Sequence, residues 1–189
     1  MEYKNDIKEN DVLELNPRIL TVLLKDHSSN KNIIWATNHY EELGSPYKKT
    51  SEITPSLITG RNGMVIQPRT AKSKEQVLDR IKNNAEVFTP SWICNEQNNL
   101  IDEQWFKGKS PFNESVDKGW LTKHEVINFE HLENKSWIDY VKDTRLEITC
   151  GEAPYITSRY DSVSGKYIEV NNRIGLLDRK LRLINKLSP

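Results

Sequence analysis

The sequence predicts an α/β or α+β fold, with helices packed on a small mixed sheet in a single domain. Three observations carry this. The length, 189 residues, is that of one domain or of one with a small extension. Cap-then-proline signals and apolar residues at intervals of three and four mark several helices. Short apolar runs flanking Asn-Gly or Ser-Gly pairs mark strands and hairpins between them. Apolar residues make up 36 % of the chain, with 5 Trp, 7 Tyr and 4 Phe, which is enough material for a real core. The 27 basic side chains match the 27 acidic ones, which excludes a disordered charged tail and leaves any nucleic-acid contact to a local patch.

No apolar run approaches the roughly 18–20 residues of a membrane span. The first residues, MEYKNDIKEND, lack the apolar centre of a signal peptide. The expected location is therefore cytoplasmic, with no membrane partner. Cys94 and Cys150 stand alone and define neither a disulfide framework nor a zinc site. The four histidines show no ligand spacing, so no metal is expected.

Residues 1–11 are polar and predicted to fray. Asn16-Pro17 reads as N-cap and first helical position, leading a helix through Ile19, Leu20, Leu23 and Leu24. Residues 26–31 form a polar turn, residues 33–36 a short buried strand, and residues 44–56 a loop. Leu57-Ile58 and Met64-Val65-Ile66 flank Asn62-Gly63 and predict a hairpin. Residues 1–70 make a small mixed subregion.

From residue 71 the helical signals strengthen. Ser73 with Gln76 fits a capping box, and Val77, Ile81 and Ala85 line one face. Thr89-Pro90 opens a second helix with apolar positions Ile93, Leu100 and Ile101. Residues 106–119 read as a surface loop, and Trp120 to Phe129 stays open between readings. A helix is expected from Ser136. Leu146 to Thr149 reads as a strand ending at Cys150-Gly151. Tyr155-Ile156 and Tyr167 to Val170 flank Ser164-Gly165 as a second hairpin. Ile174, Leu177, Leu181 and Ile184 give a terminal helix, or a short strand over 174–177 and then a helix. Trp35, Trp92 and Trp137 sit among apolar neighbours and read as structural.

Three segments resemble one family. Ala85-Glu86-Val87-Phe88-Thr89-Pro90, within AEVFTPSWICNEQNNLID, resembles the Phe-Thr-Pro box that precedes the cofactor domain in adenine-N6 DNA methyltransferases, the modification subunits of restriction–modification systems. Leu146 to Pro154 is similar to the strand-end Gly-rich loop that holds S-adenosylmethionine in that family. Arg173 to Asp178 resembles the second strand, ending in the acid that binds the ribose. The resemblance implies cofactor contacts from Phe88, Thr89, Glu147, Gly151 and Asp178. Each has a physical rationale. A cofactor lies over the carboxyl end of a strand that stops abruptly, a glycine lets the backbone approach it, and a carboxylate accepts ribose hydroxyls.

The resemblance spans most of this chain, while the chain matches only the first part of such an enzyme. Residues 71–189 are thus expected to form an incomplete methyltransferase fold without the catalytic half. The family loop has a second glycine two residues after the first; here Ala153 stands there, followed by Pro154. The tetrapeptide of Asn or Asp, Pro-Pro and an aromatic, which holds the target amine and stacks on a flipped base, is absent, so no catalytic residue is assigned. The expected function is a methyltransferase-like DNA modification protein or fragment without methyl transfer of its own, with S-adenosylmethionine bound weakly or not at all. The alternative is a non-catalytic mobile-element protein that binds and inhibits a host defence nuclease, as anti-restriction and anti-CRISPR proteins do. In either case the partner is DNA or a nucleic-acid-processing protein.

The stretch 171–189 carries Arg173, Arg179, Lys180, Arg182 and Lys186 against the single acid Asp178. Drawn as a helix, its charges fall mostly off the Leu177, Leu181, Ile184 stripe. These five cations are the expected face for nucleic acid or a partner protein.

Overall fold

The computed structural model describes residues 7–67, 81–82, 87–148 and 151–188. The chain divides into two compact units, Met1–Lys72 and Ser73–Pro189. Among the described residues the elements are helices and one two-stranded antiparallel sheet, an α+β composition; the small sheet expected from the sequence is present as this antiparallel pair, not as a mixed sheet.

In the first unit, α1 (Glu9–Leu15) forms where fraying is predicted, because Val12 and Leu13 pack against the unit's core. Helix α2 (Pro17–Leu23) starts as its sequence dictates: Pro17 supplies the helical φ and the Asn16 side chain accepts the Arg18 N–H at 2.9 Å. The buried strand expected at 33–36 is not formed: the segment meets residues 51–53 through an isolated bridge, Ile34 to Glu52, Ile33 and Ile34 are exposed, and Ala36 turns to a φ of +55°. The core holds Leu20, Leu24, Trp35, Tyr47, Ile53 and Ile58, so the predicted loop at 44–56 supplies two of its side chains. The hairpin predicted at 57–66 is replaced by α3 (Pro55–Ile58) and a 3-10 turn at Gly60–Asn62. Pro55 presets the helix, and Gly63 sits at φ −64°, whereas a tight Asn-Gly hairpin turn needs positive φ at both residues.

In the second unit, α4 (Ser91–Trp105) leads into a segment read as surface loop. That segment instead buries Phe106 and Phe112 completely and then forms β1 (Asn113–Val116), which pairs with β2 (Gly119–Thr122) from Asn113–Thr122 to Val116–Gly119. Helix α5 (Trp137–Lys142) has its capping box in place, with Ser136 N–H and hydroxyl donating to Asp139 at 2.7 Å each. Helix α6 (Leu176–Leu187) closes the core of Phe106, Phe112, Ile127, Leu132, Tyr140, Leu176 and Leu183. Aromatic edges meet faces inside it, as with Trp105 on Tyr140 at 5.0 Å.

Other expectations are corrected. Residues 145–148 form no strand; their apolar members Leu146 and Ile148 are 84 % and 75 % exposed. Thr149 and Cys150 lie outside the described residues. The hairpin at 155–170 reduces to a single bridge, Tyr160 to Tyr167, around a loop tied to Asp161. Of the helix expected from Ser73, only residues 81–82 are described, and both are helical. The buried positions of α6 are Leu176, Arg179 and Leu183, whereas Leu177 and Leu181 of the expected stripe are exposed. The buried face is thus turned by about one residue, roughly 100° at 3.6 residues per turn.

Candidate functional site

The scaffold of the site is a helix that buries its polar side. On α4 the spacing i, i+3, i+4, i+7 is occupied by Asn95, Asn98, Asn99 and Asp102, and all four are buried. Leu100 and Ile101 are 63 % and 47 % exposed. The partner that makes this possible is Arg179 of α6. Its guanidinium donates to Asp102 Oδ2 and, through Nη2, to Asn95 Oδ1 and Asn99 Oδ1 at 3.0 Å each. Asn113 completes the network, bonding Asn95 in both directions at 2.7 and 3.0 Å and accepting from Asn99 at 2.8 Å. Buried amides and charges persist only when paired in this way.

Asp102 also positions Arg145. Its Oδ1 accepts the Tyr140 hydroxyl at 2.9 Å and Arg145 Nη2 at 2.8 Å. Over 145–148 exposure alternates with period two, Arg145 and Glu147 half-buried and Leu146 and Ile148 exposed. Together with Asn98, Ile101, Tyr155 and Ile156 they line a groove of about 320 Å³. Glu147 accepts the backbone N–H groups of Tyr155 and Ile156, and burial pushes its carboxyl above the ordinary range. Its Oε2 and the Arg145 Nη1 are both buried without a hydrogen-bond partner. The groove therefore has largely apolar walls, with Arg145 and Glu147 as the charged residues in its lining.

The motif residues converge on the segment 151–158 that closes this groove. Phe88 packs on Gly151, so closely that a Cβ there would lie 3.2 Å from Phe88 Cε1. The Thr89 carbonyl accepts the Ser162 hydroxyl at 2.9 Å, and the Tyr155 hydroxyl is hydrogen-bonded to Thr89 and Cys94. Burial pushes the Cys94 thiol up to about 11, which leaves it an unreactive core residue. Asp178 is held away from the groove: its Oδ2 accepts the Ser158 N–H at 2.9 Å and hydroxyl at 3.1 Å, and burial raises its carboxyl despite them. Of the five residues read as cofactor contacts, Glu147 lines the groove. Phe88, Thr89 and Gly151 shape the loop beside it, and Asp178 anchors that loop from behind.

The two glycine-type positions of the loop share a conformation. Gly151 has φ +52° and Ala153 has φ +51°, the left-handed region that L-residues avoid. Gly175 is required for a different reason, since a Cβ there would meet the Ile156 carbonyl oxygen at 2.4 Å.

The cations of the expected basic face are engaged within their own unit, and one of them is buried. Arg179 is 1 % exposed. Arg182 donates to the Phe112 carbonyl at 3.1 Å, Lys186 to that of His124 at 2.6 Å, and Lys180 to that of Asp143. Arg173 donates to the Ile168 carbonyl at 3.3 Å and lies over the Tyr167 ring. These cations hold the terminal helix and its lead-in to their own unit, because long basic side chains satisfy carbonyls that loops leave unpaired.

Arg145, Tyr155 and Asn98 are the groove residues that sequence reasoning missed. The alternation of charged and apolar residues over 145–148 is the signal that carries Arg145. Among the described residues no group of three or more His, Cys, Asp or Glu could hold a metal, and no helix is long and apolar enough to cross a membrane. No family model, curated protein or solved structure matches the chain.

Proposed function

We infer that this chain serves adenine-N6 DNA modification without moving the methyl group itself, and that it holds S-adenosylmethionine weakly. The observation that carries the reading is the backbone at 151 and 153. The resembled loop has glycine at both positions; here Ala153 keeps the glycine-type φ of +51° although it is not glycine. Residues held in sparsely populated backbone conformations cluster at functional sites, and Ala153 is one of them.

The residues present fit the cofactor in part. Glu147 lines the groove and carries a carboxylate, a group suited to a ribose hydroxyl or an amine. Asp178, the acid that the resemblance assigns to the ribose, spends its Oδ2 on Ser158, so Glu147 takes that role. When bound, the cofactor supplies an activated methyl on a sulfonium. This chain's residues supply the apolar walls, the Glu147 acceptor and the Arg145 donor. The Pro-Pro-aromatic tetrapeptide is absent from these 189 residues, and the reading assigns them no methyl transfer.

The test is thermal unfolding with and without S-adenosylmethionine. Cofactor at 100 times its dissociation constant stabilises the fold by about 2.7 kcal/mol. The expected result is a shift in the parent that Glu147→Gln reduces. No shift at millimolar cofactor overturns the reading and favours the non-catalytic inhibitor of a host nuclease.

A further inference from the structure

A second concavity in the same unit lies on the other side of the Phe88-Thr89-Pro90 turn. It is a cleft of about 580 Å³, within the size range of small-molecule sites. Its walls include Ser91 and Trp92 from the first turn of α4, Lys118 and Trp120 from the β1–β2 hairpin, and Lys166 and Tyr167 from the loop that precedes α6. Three aromatic side chains and two exposed lysines thus meet from three parts of the chain.

The cleft's other charges are accounted for. Asp161 accepts the Ser91 N–H and the Ser164 N–H at 2.6 Å each, so its carboxylate caps α4 and the loop instead of facing a ligand. Glu169, on the same wall, offsets part of the lysine charge. Ser91 is 2 % exposed, so its side chain lies behind the cleft surface.

We propose that this cleft binds a single unpaired nucleotide, its base against Trp92, Trp120 or Tyr167 and its phosphate at Lys118 and Lys166. Planar bases stack on aromatic side chains whatever their sequence, and lysines at the rim meet the backbone phosphate. A base inside a duplex cannot enter such a cleft without leaving its stack. Trp120 is held in place by its Nε1–H, which donates to the Asn172 carbonyl at 2.8 Å. Tyr167 is held by Arg173 against its ring and its hydroxyl. The ligand is either a free nucleoside monophosphate or one unit of a single strand.

The experiment is fluorescence anisotropy of the full chain with a labelled 12-nucleotide single strand at low salt, with an unlabelled duplex and adenosine monophosphate as competitors. The single strand is expected to bind and the duplex to compete poorly. Competition by the monophosphate near its own dissociation constant identifies the free nucleotide as sufficient; its failure assigns the site to the strand. Lys118→Gln with Lys166→Gln should weaken binding and flatten the salt slope by about 1.4, at ~0.7 per phosphate on single strands. Trp92→Leu should weaken it by roughly 5- to 150-fold, the range of one lost stack, and leave the slope unchanged. Three results overturn the proposal: no single-strand binding at low salt, equal competition by duplex, or a loss with Glu147→Gln as large as with Trp92→Leu. The last would move the site to the Glu147 groove.

Discussion

Asp102 and Arg179 lie 77 positions apart and form an ion pair in which each side chain is 1 % exposed. Breaking a buried pair from one side leaves a charge without compensation and costs about 3–5 kcal/mol. Arg179→Gln and Asp102→Asn are each expected to lower the denaturant midpoint by a large part of the total stability. Replacing Arg179, Lys180 and Arg182 together should unfold the second unit, seen as lost near-ultraviolet circular dichroism. A folded, stable triple variant would show that Arg179 is not a core residue.

The inverted helix α4 makes a paired prediction. Asn98 donates to the Tyr155 and Ile174 carbonyls at 3.0 and 3.2 Å. Asn98→Leu takes the side-chain donor from the Ile174 carbonyl, while the Tyr155 carbonyl keeps the Leu176 N–H at 2.9 Å, and it should cost about 1–3 kcal/mol, although leucine is the better apolar helix former. Leu100→Ser, on the exposed side, should change stability by no more than about 0.5 kcal/mol. Urea titrations of the two variants check both, and the opposite order would place the buried face on Leu100.

The loop conformation is tested by exchanging its residues. Ala153→Gly removes a left-handed strain of roughly 1 kcal/mol and should raise the melting temperature. Gly151→Ala adds the same strain and a Cβ against Phe88, so it should destabilise by more than Ala153→Gly stabilises. A destabilised Ala153→Gly variant would contradict the positive φ.

The pH dependence has two opposed contributions. Burial opposes ionisation of Asp161, yet hydrogen bonds from Ser91 and Ser164 outweigh it and hold the carboxyl below its usual range. Its contribution to stability is therefore present above the ordinary carboxylate pKa and is lost as pH falls through the depressed folded value. Asp161→Asn should remove that acid-side loss and cost about 1 kcal/mol at neutral pH as a lost helix cap. Glu147 has the reverse sign. Its folded pKa is raised, so the ionised carboxylate penalises the fold at neutral pH, and the penalty is relieved as pH falls through the raised value. Glu147→Gln should flatten that part of the stability curve while weakening the cofactor. Stability measured from pH 3 to pH 8 separates the two variants.

Much of the local structure was legible in the residues themselves. Asn16-Pro17 starts α2, Ser136 with Asp139 starts α5, and Pro90 precedes α4, because caps and proline act on backbone groups within one turn. The charged and apolar alternation at 145–148 set which residues share a side. The same local signals misled at Asn62-Gly63, where Pro55 and the packing of Ile58 impose a helical turn.

What the sequence by itself determined is therefore where several elements begin and which residues alternate along them. Only the tertiary structure decided which face turns inward. On α4 and on 145–148 the polar side is buried, against the rule that apolar residues go inside. The reason is a single distant cation. Arg179 brings donors that satisfy Asp102, Asn95 and Asn99 at once, and no reading of α4 alone can supply a partner from 77 residues away. The same contact that removes Arg179 from the surface steadies Asp102, which holds Arg145 at the groove that Glu147 also lines.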